Sequence, residues 1–207
     1  MNRVNHTSFH FLIVFVLLAS CTNSIEPSPE PGRLRLILAH AATDSSIIIG
    51  TETLPLSLRD SLEVKTFQGK AYQGDNHWVL YETPTTEWAG EITYNILSRN
   101  PSGELNRLTI FDYFLPPGDY SYFEFGVSSS YLLLTHGYVY GGVGIPIEPK
   151  PDSSPIETFE TGFNIISGEI TEISLEMASF QSLARFRDVF QFSPQIEIIS
   201  IEQGIVF

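Results

Sequence analysis

The chain holds a single cysteine, Cys21, in 207 residues, so it can form no internal disulfide and no multi-cysteine metal site. Positive charge is scarce too: 11 Lys and Arg stand against 24 Asp and Glu, a net charge of −13. No basic feature is longer than a pair such as Arg185 and Arg187, so no cationic stripe is available for a phosphate backbone, and no nucleic-acid partner is expected. Long apolar runs are also missing. The longest, residues 11–19 (FLIVFVLLA), is far short of the roughly 20 residues that cross a bilayer as a helix.

The position of that run is informative. It follows a polar start with one basic residue, Arg3, and ends in small residues, the layout of a secretory signal. Leu18, Ala19, Ser20 and Cys21 resemble the bacterial lipobox, in which a branched apolar residue and two small ones precede a lipid-modified cysteine. The resemblance implies cleavage between Ser20 and Cys21, a diacylglycerol thioether on Cys21 and acylation, such as palmitate, of the new amino terminus. An ordinary secreted protein is the rival reading. Several acyl chains, at about 0.8 kcal/mol per buried methylene, hold a protein on a membrane firmly. Thr22, and not aspartate, follows the cysteine, which in the enteric sorting logic points to the outer membrane. The chain therefore divides into a signal peptide (1–20), a lipidated cysteine with a proline-rich tether (21–32) and one folded domain (33–207). Removing residues 1–20 takes away Arg3 and no acid, leaving an even more acidic mature chain.

Within 33–207 the pattern is that of short strands. Leu34, Leu36 and Leu38 alternate with Arg33, Arg35 and Ile37, the period-two signature of a half-buried strand. Residues 61–67, 77–82, 91–97, 138–140, 159–165, 169–177 and 194–201 are further candidates. Residues 105–114 and 119–127 read as a hairpin through Pro116, Pro117 and Gly118. Residues 141–155 hold four prolines and three glycines and are expected to be a long exposed loop. Residues 179–190 fit a short helix and a strand–turn–strand equally. About nine or ten strands with 15 Phe and 9 Tyr predict an all-β domain, a single antiparallel β-sandwich of immunoglobulin or transthyretin type.

Three stretches carry a family resemblance: GRLRLILAHAA from Gly32, FLPPGDYSYFEF from Phe114, and residues 163–199. They are similar to a family of uncharacterised bacterial surface lipoprotein domains. That family opens with Gly-x-Leu-x-Leu and Thr-Asp-Ala-Pro, and has a Leu-Pro-Ala-Gly-x-Tyr hairpin and a late proline before alternating aliphatics. Leu115, Pro116, Pro117, Gly118, Asp119 and Tyr120 fall on its hairpin and Pro194 on its late proline. At residues 39–42 (AHAA) the family's acid and proline are missing, so no role of that acid carries over. The opening also resembles a second lipoprotein sandwich family that begins with a His-Ala-Ser-Pro-Asp pattern. Either resemblance implies a β-sandwich on a cell surface, and neither implies a reaction.

Catalytic signatures are sparse. His40, Asp44 and Ser45 or Ser46 contain triad residue types, but a triad recruits partners from separate elements, and no Gly-x-Ser-x-Gly elbow is present. Beyond residue 20 the histidines His40, His77 and His136 are isolated and suggest no zinc site. Asp112 and Asp119 beside the hairpin, and Glu157 and Glu160 further on, lack the spacing of a calcium loop. Residues 141–144 (GGVG) lack the lysine of a phosphate loop. No catalytic residue, metal or cofactor is therefore expected. The remaining lead is aromatic: Trp88, and Tyr138 with Tyr140 at period two, lie beside glycines and short polar residues, where rings stack on sugars or grip a protein unless they fill a core edge. The expected function is a lipid-anchored binding or adhesion module, with the membrane and a glycan or protein as partners. A structural envelope component and a hydrolase assembled in space are the alternatives.

The lipobox reading predicts that Cys21→Ala yields an uncleaved or soluble precursor in a membrane-fractionation assay. Unchanged membrane attachment of that variant would contradict it.

Overall fold

A computed structural model describes residues 28–80, 92–135, 142–187 and 189–206. Among them are sixteen strands and no helix. In order these are β1 (Gly32–His40), β2 (Ser46–Ile49), β3 (Glu52–Pro55), β4 (Ser61–Gln73), β5 (Asn76–Leu80), β6 (Ile92–Asn95), β7 (Leu108–Leu115) and β8 (Gly118–Tyr120). The second half gives β9 (Tyr122–Leu134), β10 (Val143–Pro149), β11 (Ile156–Phe159), β12 (Phe163–Ile165), β13 (Glu169–Met177), β14 (Leu183–Phe186), β15 (Val189–Phe192) and β16 (Ile196–Val206).

Two sheets carry the architecture. One has four strands in the order β16-β13-β1-β7. The other has eight, along β14-β15-β10-β9-β4-β5, with β11 also on β9 and β6 also on β4. Their apolar faces meet in one cluster that joins Leu34, Leu36 and Ile173 of the first sheet to Leu62, Val64 and Phe125 of the second. The arrangement is all-β and sandwich-like. Alternation decides which side chain enters it: the outward partners of Leu34 and Leu36 are Arg33 and Arg35, which hold Asp112 of β7 through guanidinium hydrogen bonds of 2.5–3.2 Å.

A chain of six rings runs through the interior. Phe111 of β7 meets Phe125 of β9 at 5.7 Å, Phe125 meets Phe159 of β11 at 5.3 Å, and Phe159 meets Phe123 at 4.8 Å. Phe123 then touches Phe163 of β12 edge-on at 6.0 Å, and Phe163 stacks on Tyr120 at 5.2 Å. Phe111 fits because residue 69 is glycine. A Cβ on Gly69 would stand 2.8 Å from the Phe111 ring, too close for any carbon contact. Gly69 belongs to a bulge in β4, where Gln68 takes a positive φ of 53° and two residues oppose Phe125.

The structure corrects three expectations and decides one reading that the sequence left open. The sheets are not purely antiparallel: β1 pairs β13, and β10 pairs β15, in parallel. In both cases the partner returns after long excursions through other strands, which is the connection that parallel pairing requires. The turn at Pro116–Gly118 does not make a hairpin, because β7 pairs β1 while β9 pairs β4, β10 and β11. It is a crossing from one sheet to the other, made at Gly118 with φ 140° and tied by the Tyr120 hydroxyl donating to the Pro116 carbonyl at 2.9 Å. Burial pushes the Tyr120 phenol up to about 12, so it keeps its proton and this bond at any ordinary pH.

The supposed loop at 141–155 contains β10. Residues 143–146 pair with β9 and 147–149 with β15, so each stretch has one strand partner, and Pro146, which has no N–H to give, sits where the partner changes. The ambiguous stretch at 179–190 is the hairpin β14–β15 preceded by a turn, not a helix. Phe111 joins the two sheets, so Phe111→Ala is expected to cost about 3–5 kcal/mol in equilibrium denaturation. A loss below about 1 kcal/mol would show that the sheets do not depend on that contact.

Candidate functional site

Strand β9 turns Phe123 and Phe125 inward, and the same alternation turns Tyr122 and Glu124 outward. Across β4 the bulge at Gln68 and Gly69 restores the phase, so that Lys70 pairs with Glu124 and Tyr72 with Tyr122 on the outer face. On the far side of β9, Thr158 of β11 pairs with Glu124, and Glu160 follows just beyond the strand. On β5, His77 pairs with Tyr72. Two rows therefore cross the outer face: Lys70, Glu124 and Thr158 in one, and His77, Tyr72 and Tyr122 in the other.

The rows are bonded to each other. Tyr72 and Tyr122 stack at 4.1 Å with planes 14° apart, and His77 leans on Tyr72 at 5.7 Å. Oε1 of Glu124 accepts the Tyr72 hydroxyl at 2.7 Å and the Lys70 ammonium at 2.9 Å. Burial pulls the Glu124 carboxyl upward, but these two hydrogen bonds and the Lys70 charge outweigh it and hold the pKa below the ordinary value. The same bonds to Glu124 raise the pKa of Lys70 and of Tyr72. At neutral pH the group is thus an ionised carboxylate with a protonated lysine and a neutral phenol.

Tyr122 ends the ring column at a cleft of about 460 Å³ lined by Ser121, Tyr122, Glu124, Thr158 and Glu160. An aromatic wall, two carboxylates and two hydroxyls suit a ligand that offers hydroxyl donors and an apolar ring face. With Glu124 committed to Lys70 and Tyr72, the carboxylate is poorly placed to act as a general acid.

The sequence candidates fall differently. Ser20 and Cys21, Trp88, and Tyr138 with Tyr140 lie outside the described residues, as does His136. The triad types do not assemble. His40 is buried and its Nδ1 is 2.8 Å from the Ser179 hydroxyl, while the Asp44 carboxylate accepts the backbone N–H of Phe180 at 2.5 Å and of Gln181 at 3.4 Å. Ser45 is exposed. Together these residues tie the end of β1 to the turn before β14.

Asp60 does similar work elsewhere, accepting the Ser57 N–H and both the N–H and the hydroxyl of Thr135. Asp112 is occupied by Arg33 and Arg35, and Asp119 by the Asn164 amide. Glu157 is half-buried on β11, and desolvation raises its pKa. Among the described residues no three His, Cys, Asp or Glu side chains converge as metal ligands.

The residues of the outer-face site were overlooked in the sequence. Their signal was the alternation YFEF at 122–125, but the pairing with Lys70 and Tyr72 depends on a bulge that no motif announces. Comparison with protein-family models, curated proteins and solved structures finds no match to this chain.

His40 yields a pH test. Burial is the largest influence and lowers its pKa below 6.5, with nearby Arg99 in the same direction and Asp44 opposing both. Above about pH 6.5 the ring is neutral both folded and unfolded, and stability is full. As the pH falls below that, the unfolded chain takes up a proton that the folded one resists, so stability declines until the lowered folded pKa is reached. Denaturation of wild type and His40→Gln from pH 7.5 to 5 is expected to give a difference that shrinks on acidification. A pH-independent difference would place the ring in solvent.

Proposed function

We propose that this protein is an exported, lipid-anchored binding module of the bacterial envelope, held at Cys21 on the outer membrane, and that it binds a glycan in the cleft at Tyr122. The observation that carries this reading is the ring column His77–Tyr72–Tyr122 ending in a cleft whose other walls are hydroxyls and carboxylates. Sugar rings stack their C–H faces on aromatics and give their hydroxyl protons to carboxylates, so both halves of the cleft have a use. The net charge of −13 disfavours polyanionic glycans and favours neutral or amine-bearing ones. The commitment of Glu124 to Lys70 and Tyr72 favours binding over hydrolysis.

In this reading the domain is an immunoglobulin-like Greek-key sandwich of the surface-lipoprotein kind. Support comes from the crossing at Leu115 to Tyr120, whose tyrosine hydroxyl returns to a backbone carbonyl a few residues upstream in the manner of the tyrosine corner of such sandwiches. The proline-rich stretch before Gly32 acts as the tether. Its last residues touch the domain, with the carbonyls of Glu30 and Pro31 accepting from Ser167 and Gly168.

A glycan array probed with wild type and Tyr122→Ala tests the proposal. Wild type is expected to retain neutral or amino-sugar oligosaccharides, and the variant to bind them roughly tenfold more weakly, about 1.4 kcal/mol, with an unchanged fold. Absence of any retained glycan, or equal retention by the variant, would overturn it.

A further inference from the structure

Strand β16 closes one side of the four-stranded sheet, and among the described residues its backbone ladder pairs with β13 alone. Its other side is an edge of eleven residues, and such an edge offers a row of backbone donors and acceptors to any extended chain. Ile196, Ile198 and Ile201 point toward the core but are only partly covered, and Ile199, where the register shifts, is 54% exposed. The outward residues are polar: Glu197 pairs with Glu176, Ser200 with Ser174, and Glu202 with Glu172.

Glu172 has cations, Arg35 at 3.6 Å and Arg107 at 3.2 Å. Glu176 and Glu197 face each other directly across β13 and β16, and neither has an ion-pair partner among the described residues. Like charges directly opposed in a sheet destabilise it. Both glutamates line a cavity of about 300 Å³ at the start of β16, together with Gln181, Gln195 and Thr43. A long cationic side chain would relieve the repulsion and find amide and hydroxyl oxygens beside it.

We propose that the edge of β16 receives an extended segment of a partner protein as a fifth strand, with a lysine or arginine of that segment seated between Glu176 and Glu197. The segment's apolar side would cover the half-exposed isoleucines, and its backbone would complete the ladder. A second copy of this chain does not suit the edge. Antiparallel self-pairing about Ile199 and Ser200 would set Glu197 of one chain against Glu202 of the other, between two molecules that each carry −13. The proposal concerns the sheet opposite the Tyr122 cleft and stands independently of glycan binding.

The probe is a synthetic ten-residue peptide alternating valine with lysine, compared with its valine–glutamate counterpart, against the full chain in detergent. The lysine peptide is expected to bind with an affinity that falls as salt is raised, and to slow amide hydrogen exchange across residues 196–206. Glu176→Gln combined with Glu197→Gln should weaken it roughly fivefold, with circular dichroism unchanged. No binding, equal binding of the glutamate peptide, unaltered exchange in β16, or concentration-dependent dimers protected at β16 would each overturn the proposal. Should the double variant fail to fold, the salt dependence and the exchange map in wild type decide the matter.

Discussion

Strand β9 has to bury Phe123 and Phe125, and most of the molecule is arranged around that requirement. The two rings receive Phe159 from β11 and Phe163 from β12, and Phe125 meets Phe111 from the opposite sheet. A one-residue slip of β9 would turn both rings to solvent and bring Tyr122 and Glu124 inside, leaving a carboxylate without water or its lysine. Interior packing therefore fixes the register, and the register fixes which side chains stand on the outer face. The outer-face site is a consequence of the core, carried on the intervening residues of the same strand.

Neighbouring strands supply the rest through the same constraint. β4 would fall out of phase along its thirteen residues without the bulge at Gln68 and Gly69. That bulge does two things together. It makes room for Phe111 over Gly69, and it returns Lys70 and Tyr72 to the outer face, opposite Glu124 and Tyr122. Core packing and the charge-paired tyrosine stack are thus coupled at one irregularity. Two buried carboxylates are bonded in a similar spirit: Asp44 and Asp60 anchor turns through backbone N–H groups, where an unpaired carboxylate would be costly.

Much of the strand layout was legible because alternation is a local property. The β1 pattern of Leu34, Leu36 and Leu38, the β13 pattern ending at Met177 and the strand at 196–201 need only period two to be seen. What alternation cannot give is the partner. The stretch at 108–127 looks like a hairpin because a proline–glycine turn separates two strands, yet its halves belong to different sheets. β10 was hidden by Pro146 and Pro149, which are tolerated because it pairs with β9 and β15 over different stretches. Tyr72 and Tyr122 lie fifty residues apart, and their stacking follows from a register set by buried phenylalanines, which no motif search reads.

The proposed glycan site rests on the contrast between the two faces of β9: apolar rings that hold the sheets inside, and a tyrosine, carboxylate and lysine bonded together outside. A binding surface built on sheet strands keeps its geometry without a ligand, which lowers the ordering cost on association. The most direct test is a backbone-amide NMR map of the ¹⁵N-labelled chain on adding the oligosaccharide that binds best. The account predicts shifts concentrated at Tyr72, Tyr122, Glu124, Thr158 and Glu160, with the core strand β1 unmoved. Shifts centred anywhere else on the domain, or none at saturating sugar, would contradict it.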